Sequence, residues 1–408
     1  MLFKKTIPCF DFVIYWSMVV IPFSIAIAPG MTYSFMGLLA FSYICKKLIK
    51  RERPLINTAV SIPFLLLIIV SLISFKNTID FRASIQGITK LLQDILLLLI
   101  CAEEVRDKKH IKYIVFSIAA GACLSSYDGL WQVIFGKDFI RGHAPIINIG
   151  LIRATAAFPN ANVFGVYLSA IAPLLIGLAL FYYKGVTKIL MLIVAGLAAF
   201  GIVLTFSRGT ALALYLSVLF ICLMRKNKAI SSLLIILLLI FPFIMPKSIK
   251  DWAAQVNYNP VRFMLNDDRI SVYKNALNMI KHHPIVGVGV NTFSKNYFTY
   301  KLPEPDWAKT ADSMYAHNHF LQMAGEIGLL GLVIFFWLLY RLFKANFSVY
   351  QRLKDEYLRV VTLSLIACFI AFLVNGLTET SLYYSRVAMI FWYLIGVSLS
   401  LKKFAEPK

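Results

Sequence analysis

Seven polar residues stand where the apolar runs of this 408-residue sequence meet its loops, and their side chains suit anion binding and proton transfer. They are Arg141, Arg153, Arg208, Arg262, Arg269, His317 and His319. The planar fork of an arginine stays charged and can hold phosphate oxygens through two hydrogen bonds. A group of such arginines therefore suits a diphosphate. Arg141 and Arg262 can equally pair with loop carboxylates or lipid headgroups.

Arg208 and His317 occupy the most informative positions. Arg208 lies in the short segment 205–210 between two apolar runs. A charge so close to hydrocarbon is costly and usually faces a polar cavity or a partner, although an arginine can also reach out to headgroups. His317 precedes another apolar run, and neutral imidazole can accept a proton from a sugar hydroxyl. A structural role for this histidine stays open.

Metal and nucleotide chemistry find little support in the sequence. It contains no Walker motif, zinc-ligand spacing or nucleotide-binding glycine loop. Asp267 and Asp268 could bind a metal ion, but no third acidic ligand lies near them, and helix capping by Asp268 is the better explanation. We therefore expect no metal site and no cofactor.

The composition excludes a soluble enzyme. Residues of the AVILMFWYC set make up 59% of the chain and charged residues 15%, whereas a soluble domain carries about a quarter charged residues. The sequence predicts an all-α polytopic membrane protein. About twelve apolar stretches are long enough to cross a bilayer. They are centred near residues 9–28, 31–46, 58–75, 84–102, 112–135, 162–182, 187–206, 208–224, 229–245, 319–340, 358–376 and 382–401.

The loops that follow the even-numbered stretches are basic, for example 46–53 and 225–228. The positive-inside rule therefore predicts that both termini are cytoplasmic. The net charge of +21 is explained by these loops and by a site for anionic headgroups or phosphates. Nucleic acid is not expected as a partner.

Three regions follow from this layout. Residues 1–245 hold predicted transmembrane helices 1–9, residues 246–318 form a periplasmic loop subdomain, and residues 319–408 hold helices 10–12. Within the loop, the apolar spacing from Arg269 to Lys281 predicts a helix capped by Asp268.

Four motifs in this order resemble those of the bacterial O-antigen ligase and polymerase superfamily. They are Arg153 with Phe158-Pro159-Asn160-Ala161-Asn162, Ser207-Arg208-Gly209, Arg269 followed by His283-Pro284-Ile285-Val286-Gly287-Val288-Gly289, and His317-Asn318 followed after nine residues by Gly328-x-x-Gly331. Ala161 stands where the family commonly has proline. The His-Asn spacing resembles the ligase signature.

The resemblance implies a metal-independent glycosyltransferase with a GT-C-like membrane fold. Its donor would be an undecaprenyl-diphosphate-linked glycan and its acceptor a hydroxyl of the lipid A-core, on the periplasmic face of the bacterial inner membrane. Arg208 and Arg269 would stabilise the leaving diphosphate, and His317 would activate the acceptor. The substrate-binding residues would be Arg153, Asn160, Asn162, Arg141, Arg262, Asn318 and His319.

Two other functions stay open. An O-antigen polymerase would use the same donor with a second lipid-linked glycan as acceptor. A glycolipid flippase or permease would need ionisable groups along a path through the bilayer and related halves, whereas the unusual charges here gather at one interface.

Overall fold

The computed structural model of the protein describes residues 6–53, 58–148, 151–244, 247–265, 267–303 and 315–405. These residues fold almost entirely into helices. The long helices are α1 (Ile7–Ile27), α2 (Pro29–Lys50), α3 (Ser61–Ile73), α4 (Phe81–Glu104), α5 (Lys108–Phe135), α6 (Ala161–Phe181), α7 (Gly185–Leu204), α8 (Arg208–Met224) and α9 (Lys228–Ile244), followed later in the chain by α14 (His319–Arg352), α15 (Glu356–Gly376) and α16 (Ser385–Ser400). Between α9 and α14 lie the shorter α10 (Lys247–Gln255), α11 (Pro260–Met264), α12 (Asp267–His282) and α13 (Phe293–Asn296), and α17 (Lys402–Ala405) follows α16. A two-stranded antiparallel sheet, β1 (Ile146–Asn148) and β2 (Leu151–Arg153), pairs Ile146 with Arg153.

The chain is an all-α polytopic membrane protein. Eight helices of the described part are long and apolar enough to cross a membrane, namely α1, α4, α5, α6, α7, α14, α15 and α16, which continues into α17. Three further helices of the described part, α3, α8 and α9, are apolar but shorter. Each of the twelve apolar stretches falls on a helix, and the number that cross the bilayer stays a prediction.

Helix α6 lies at the centre of the bundle, packed against α7, α8 and α15. Small residues permit this close packing. A Cβ atom on Gly177 would lie 2.0 Å from Ser364 Oγ, and one on Gly165 would lie 3.0 Å from Thr210 Oγ1. Glycine at these positions lets the helix backbones approach, which is how helices associate where lipid removes the hydrophobic driving force.

Ion pairs join the basic loops at one end of the bundle. Lys108 Nζ lies 2.5 Å from the carboxylate of Asp355, and Arg225 Nη2 lies 2.6 Å from that of Glu356. The connection between α4 and α5 and that between α8 and α9 are thus both joined to the connection between α14 and α15. The described parts of the long connections, 136–148, 151–160, 247–265, 267–303 and 315–318, lie at the opposite end.

The segment between α9 and α14 has a small apolar core of its own. Its buried residues are Val272, Ala276, Met279, Val288, Phe293, Tyr297 and Ala316. The helix predicted from Arg269 to Lys281 is confirmed by α12. The prediction that Asp268 caps it was wrong, because α12 already includes Asp267 and Asp268 therefore lies in its first turn. The division of the chain at residues 245 and 318 stays a prediction.

Helix α14 is interrupted at Gly328, whose φ of 74° and ψ of 176° are not helical. The interruption frees backbone groups, and the segment 284–289 pairs with them. The bonds run from Val288 N to Gly325 O and from Gly289 N to Glu326 O, each 2.9 Å, and from Leu329 N to Pro284 O, 2.8 Å. The glycines of two distant sequence motifs thus form one packed unit, which fixes the start of α14 against the loop segment.

Replacing Gly328 by alanine is expected to destabilise the protein by at least about 2 kcal/mol. A Cβ atom there would lie 2.0 Å from Ile285 O, on a backbone with positive φ that alanine tolerates poorly. Thermal unfolding of the protein in detergent, followed by loss of the monodisperse peak, measures the effect. Gly196→Ala is the matched control, because a Cβ atom at Gly196 meets no other atom within 4 Å. Equal melting temperatures for both variants would contradict the packing argument.

Candidate active site

A buried carboxylate, that of Glu379, joins three of the helix ends at the end of the bundle opposite the basic loops. Glu379 lies in the connection between α15 and α16, and its side chain is 4% exposed. Its Oε1 accepts hydrogen bonds from Arg269 Nη2 at 2.5 Å and from Asn162 Nδ2 at 2.6 Å. Its Oε2 lies 3.4 Å from His317 Nδ1. We call Arg153, Asn162, Arg208, Arg269, His317 and Glu379 the arginine–glutamate cluster.

The charge of Glu379 decides which nitrogen of His317 can act as a base. Burial alone would raise the pKa of Glu379, but the hydrogen bond from His317 and the charge of Arg269 outweigh it, and the pKa lies below its ordinary value. The ionised carboxylate can only accept a hydrogen bond. His317 Nδ1 is therefore the donor, and a neutral His317 has its lone pair on Nε2. This is the arrangement that a histidine base requires.

Arg208 is the first residue of α8 and brings a second guanidinium group to the cluster. The positive charges of Arg269 and Arg153 act on it. Its Nη1 donates to the carbonyl oxygen of Phe263, and its guanidinium carbon lies 5.6 Å from the centre of the Phe263 ring. Because like charges repel, the three neighbouring arginines, Arg153, Arg208 and Arg269, destabilise one another. A bound anion would offset this repulsion.

Arg153 connects the short sheet to the cluster. Its Nε donates to Thr205 O at 2.7 Å, and its Nη2 donates to Asn162 Oδ1 at 2.6 Å. Burial lowers the pKa of Arg153 below its ordinary value, while Glu379 raises it. An arginine nevertheless remains charged. Arg153 thus fixes the turn that precedes Arg208 and the first turn of α6.

The space around position 209, directly after Arg208, admits only a glycine. A Cβ atom at Gly209 would lie 2.2 Å from Thr378 Oγ1, in the residue before Glu379. The glycine lets the connection that carries Glu379 lie directly against the start of α8. In the Ser-Arg-Gly motif, Arg208 therefore supplies a cation, and Gly209 leaves room for the segment that carries the Glu379 carboxylate.

The backbone of His317 is held from two sides. Its φ of 46° lies in the left-handed region. The Tyr273 hydroxyl lies 3.0 Å from His317 O and 2.8 Å from Leu377 O, and burial raises the pKa of Tyr273 to about 12, so it remains a donor. On the other side, Gln322 Oε1 accepts from Ala316 N at 3.0 Å. Gln322 Nε2 in turn donates to Glu326 at 3.0 Å.

Glu326 therefore has a structural role. Besides Gln322, its carboxylate accepts from Asn291 N at 2.9 Å. It satisfies buried donors and holds the segment that includes Ala316 in place.

Four helices begin at the cluster. Asn162 lies in the first turn of α6, Arg208 begins α8, Arg269 lies in the first turn of α12, and His317 comes two residues before α14. The N-terminus of a helix carries partial positive charge from its aligned peptide dipoles. This geometry adds to the arginines and favours an anion.

Two of the three predicted binding asparagines, Asn160 and Asn318, cap helices. Asn160 Oδ1 accepts from Val163 N at 2.9 Å at the start of α6. Asn318 Oδ1 accepts from Phe320 N and Leu321 N, each at 3.0 Å, at the start of α14. Both asparagines thus position the helix ends at the cluster, and their contact with a substrate stays a prediction.

Three other predicted residues do not take part in the contacts described above. Arg141 is exposed in the turn after α5, and its charge acts on Arg386. Arg262 is exposed on α11, one residue before the Phe263 that Arg208 contacts. His319 is buried and lines a cavity that none of the residues of the cluster lines.

Sequence reasoning missed Glu379, the residue on which the cluster is centred. The sequence feature that could have identified it is that Glu379 is the single carboxylate in the short connection between the last two apolar stretches. An ionisable group so close to the membrane costs free energy and usually has a function. Within the described residues, no group of three His, Cys, Asp or Glu side chains could hold a metal ion. Metal-free chemistry stays a prediction.

Fold and cluster together define a multi-pass membrane protein with a cationic, histidine-containing site at one end of its helices. Residues 193–336 match the family model described as O-antigen ligase. The resemblance to the O-antigen ligase and polymerase superfamily, predicted from the motifs, is confirmed over this segment. It runs from α7 into α14 and contains Arg208, Arg269 and His317, whereas Glu379 lies beyond it. No curated protein matches the chain.

Proposed function

We propose that the protein is an O-antigen ligase. It moves a glycan from undecaprenyl diphosphate to a hydroxyl of the lipid A-core on the periplasmic face of the inner membrane. The observation that carries the proposal is the convergence of Arg269 and His317 on Glu379, with the charge of Arg269 also acting on Arg208. This combination puts a diphosphate site beside a base.

In the proposed reaction, the acceptor oxygen attacks the anomeric carbon of the donor sugar. The bond from that carbon to the diphosphate oxygen breaks, and its electron pair leaves with the diphosphate. Arg208 and Arg269 stabilise the charge that develops there, in a site that is already organised before the reaction. The acceptor proton passes to His317 Nε2. Direct attack of this kind inverts the configuration at the anomeric carbon.

The proposed orientation rests on the charge of the loops. The loops at the end that carries the Lys108–Asp355 and Arg225–Glu356 pairs are basic, and basic loops remain in the cytoplasm. The arginine–glutamate cluster lies at the other end and faces the periplasm in this orientation. Residues 246–318 are then a periplasmic loop subdomain, and both termini are cytoplasmic.

The alternative is an O-antigen polymerase, which shares the donor and the leaving group. The cluster suits both reactions, because both require a diphosphate site and a base. The spacing from His317 and Asn318 to Gly328 favours the ligase. A flippase or permease is the weaker candidate, because it has no need of a histidine base beside a diphosphate site.

An acceptor assay tests the proposal. The purified full chain is given a lipid-linked glycan together with either lipid A-core or a second lipid-linked glycan, in the presence of EDTA. We expect transfer to lipid A-core only, with the rate unchanged by EDTA. Elongation of the lipid-linked glycan alone would show a polymerase, and no product with either acceptor would contradict both enzymes. A strict need for a divalent metal would contradict arginines as the charge stabilisers.

A further inference from the structure

A second polar site lies inside the bundle, next to the cluster. It is a cavity of about 140 Å³ between α3, α4, α14 and α16. Its polar lining includes Lys90, Asp94, His319, Glu326 and Thr380, and its apolar lining includes Trp392. Asp94 lies in the middle of α4 and is 7% exposed, with the positive charge of Lys90 one turn away. An acidic side chain at such a depth in the membrane costs free energy, and such residues usually have a function.

Two further groups in this cavity point to a ligand. His319 and Thr380 are 5% and 2% exposed, and both line the cavity. Among the described residues, His319 Nε2 and Thr380 Oγ1 have no hydrogen-bond partner. A buried polar atom left without a partner costs free energy. A molecule that occupies the cavity can therefore bond to both atoms.

The cavity and the cluster share a wall made of two chain segments. On one segment, His317 contacts Glu379 in the cluster, while His319 lines the cavity. On the other, Glu379 belongs to the cluster, while the next residue, Thr380, lines the cavity. Residues close together on the same two segments thus line the two sites. His317, the proposed base, lies at the boundary between them.

We propose that this cavity binds one sugar ring of the acceptor saccharide. The inference rests on the proposed function. The lining holds two acidic side chains and a single lysine, whereas the arginine cluster suits a phosphate better. Closely set donors and acceptors in a largely apolar pocket match an uncharged ligand rich in hydroxyl groups. The space is close to that of an engineered cavity of about 150 Å³ that binds one benzene ring, which suits one ring rather than an oligosaccharide.

Binding is tested separately from transfer. Saturation-transfer NMR on the full chain in nanodiscs uses two probes, the free core oligosaccharide released from lipopolysaccharide and the free oligosaccharide of the O-antigen repeat. We expect the core oligosaccharide to bind the wild type, and its signal to fall about tenfold in Asp94→Asn and in Thr380→Val. Glu356→Gln is the matched control at the opposite end of the bundle. Binding of neither probe, or equal binding to all variants, would overturn the proposal.

Transfer kinetics distinguish this inference from the proposed function. We expect Asp94→Asn and Thr380→Val to raise the KM for the acceptor about tenfold and to leave the KM for the donor within twofold. An unchanged acceptor KM in an active enzyme would reject the cavity and leave the ligase standing. If the wild type transferred to no acceptor, the proposed function would fail, and the NMR experiment alone would decide the cavity.

Discussion

Replacing Arg269 by alanine is expected to lower kcat at least about a hundredfold, with normal insertion and accumulation of the protein. Arg269 contacts the buried Glu379 carboxylate and, in the proposed reaction, the leaving diphosphate. Loss of one donor aimed at developing charge typically costs a factor of about 10² to 10³ in kcat. Arg208→Ala is expected to have an effect of the same size. Steady-state transfer with saturating donor and acceptor measures both.

Two further variants make this result specific. Arg269→Lys keeps the charge but loses the planar fork, and we expect it to recover only part of the rate. Arg225→Ala removes an arginine that pairs with Glu356 at the opposite end of the bundle, and its rate is expected to match the wild type. A rate for Arg269→Ala within threefold of the wild type would show that the guanidinium group has no part in the chemistry.

Replacing Glu379 by glutamine is expected to lower kcat about a hundredfold, although Glu379 itself touches no reacting atom in the proposed mechanism. It is a positioning residue, because its charge keeps the proton of His317 on Nδ1 and holds Arg269 in place. A glutamine amide can donate to Nδ1 and so favour the wrong tautomer. Glu379→Asp keeps the charge and is expected to recover part of the activity. Equal rates for the glutamine variant and the wild type would contradict this role.

The pH dependence of stability gives this variant a second readout. The pKa of Glu379 in the folded protein lies below its ordinary value, so the ionised carboxylate stabilises the fold at every pH above the unfolded value of about 4.3. That contribution is lost as the pH falls through the lowered pKa. The difference in melting temperature between wild type and Glu379→Gln should therefore be full near pH 7 and shrink below about pH 4. A difference that grew on acidification would contradict the sign.

The sequence predicted the helices better than the contacts between them. Apolar stretches and the three-and-four spacing in α12 report burial along one segment, and both fall on helices. The pairing of segment 284–289 with the interruption at Gly328 depends on backbone geometry far along the chain, which local periodicity does not encode. Arg208, Arg269 and His317 were recognisable because charged or titratable residues at a membrane boundary are unusual. Glu379 was not, since its role arises only from the neighbours that folding brings to it.

The most direct test of the central claim is a cryo-electron microscopy structure of the protein in nanodiscs with undecaprenyl diphosphate. The account predicts that the two phosphate groups lie within hydrogen-bonding distance of the Arg208 and Arg269 guanidinium groups, with His317 Nε2 facing the site from which the acceptor attacks. Diphosphate bound elsewhere, or an imidazole turned away from it into a different cavity, would contradict the account.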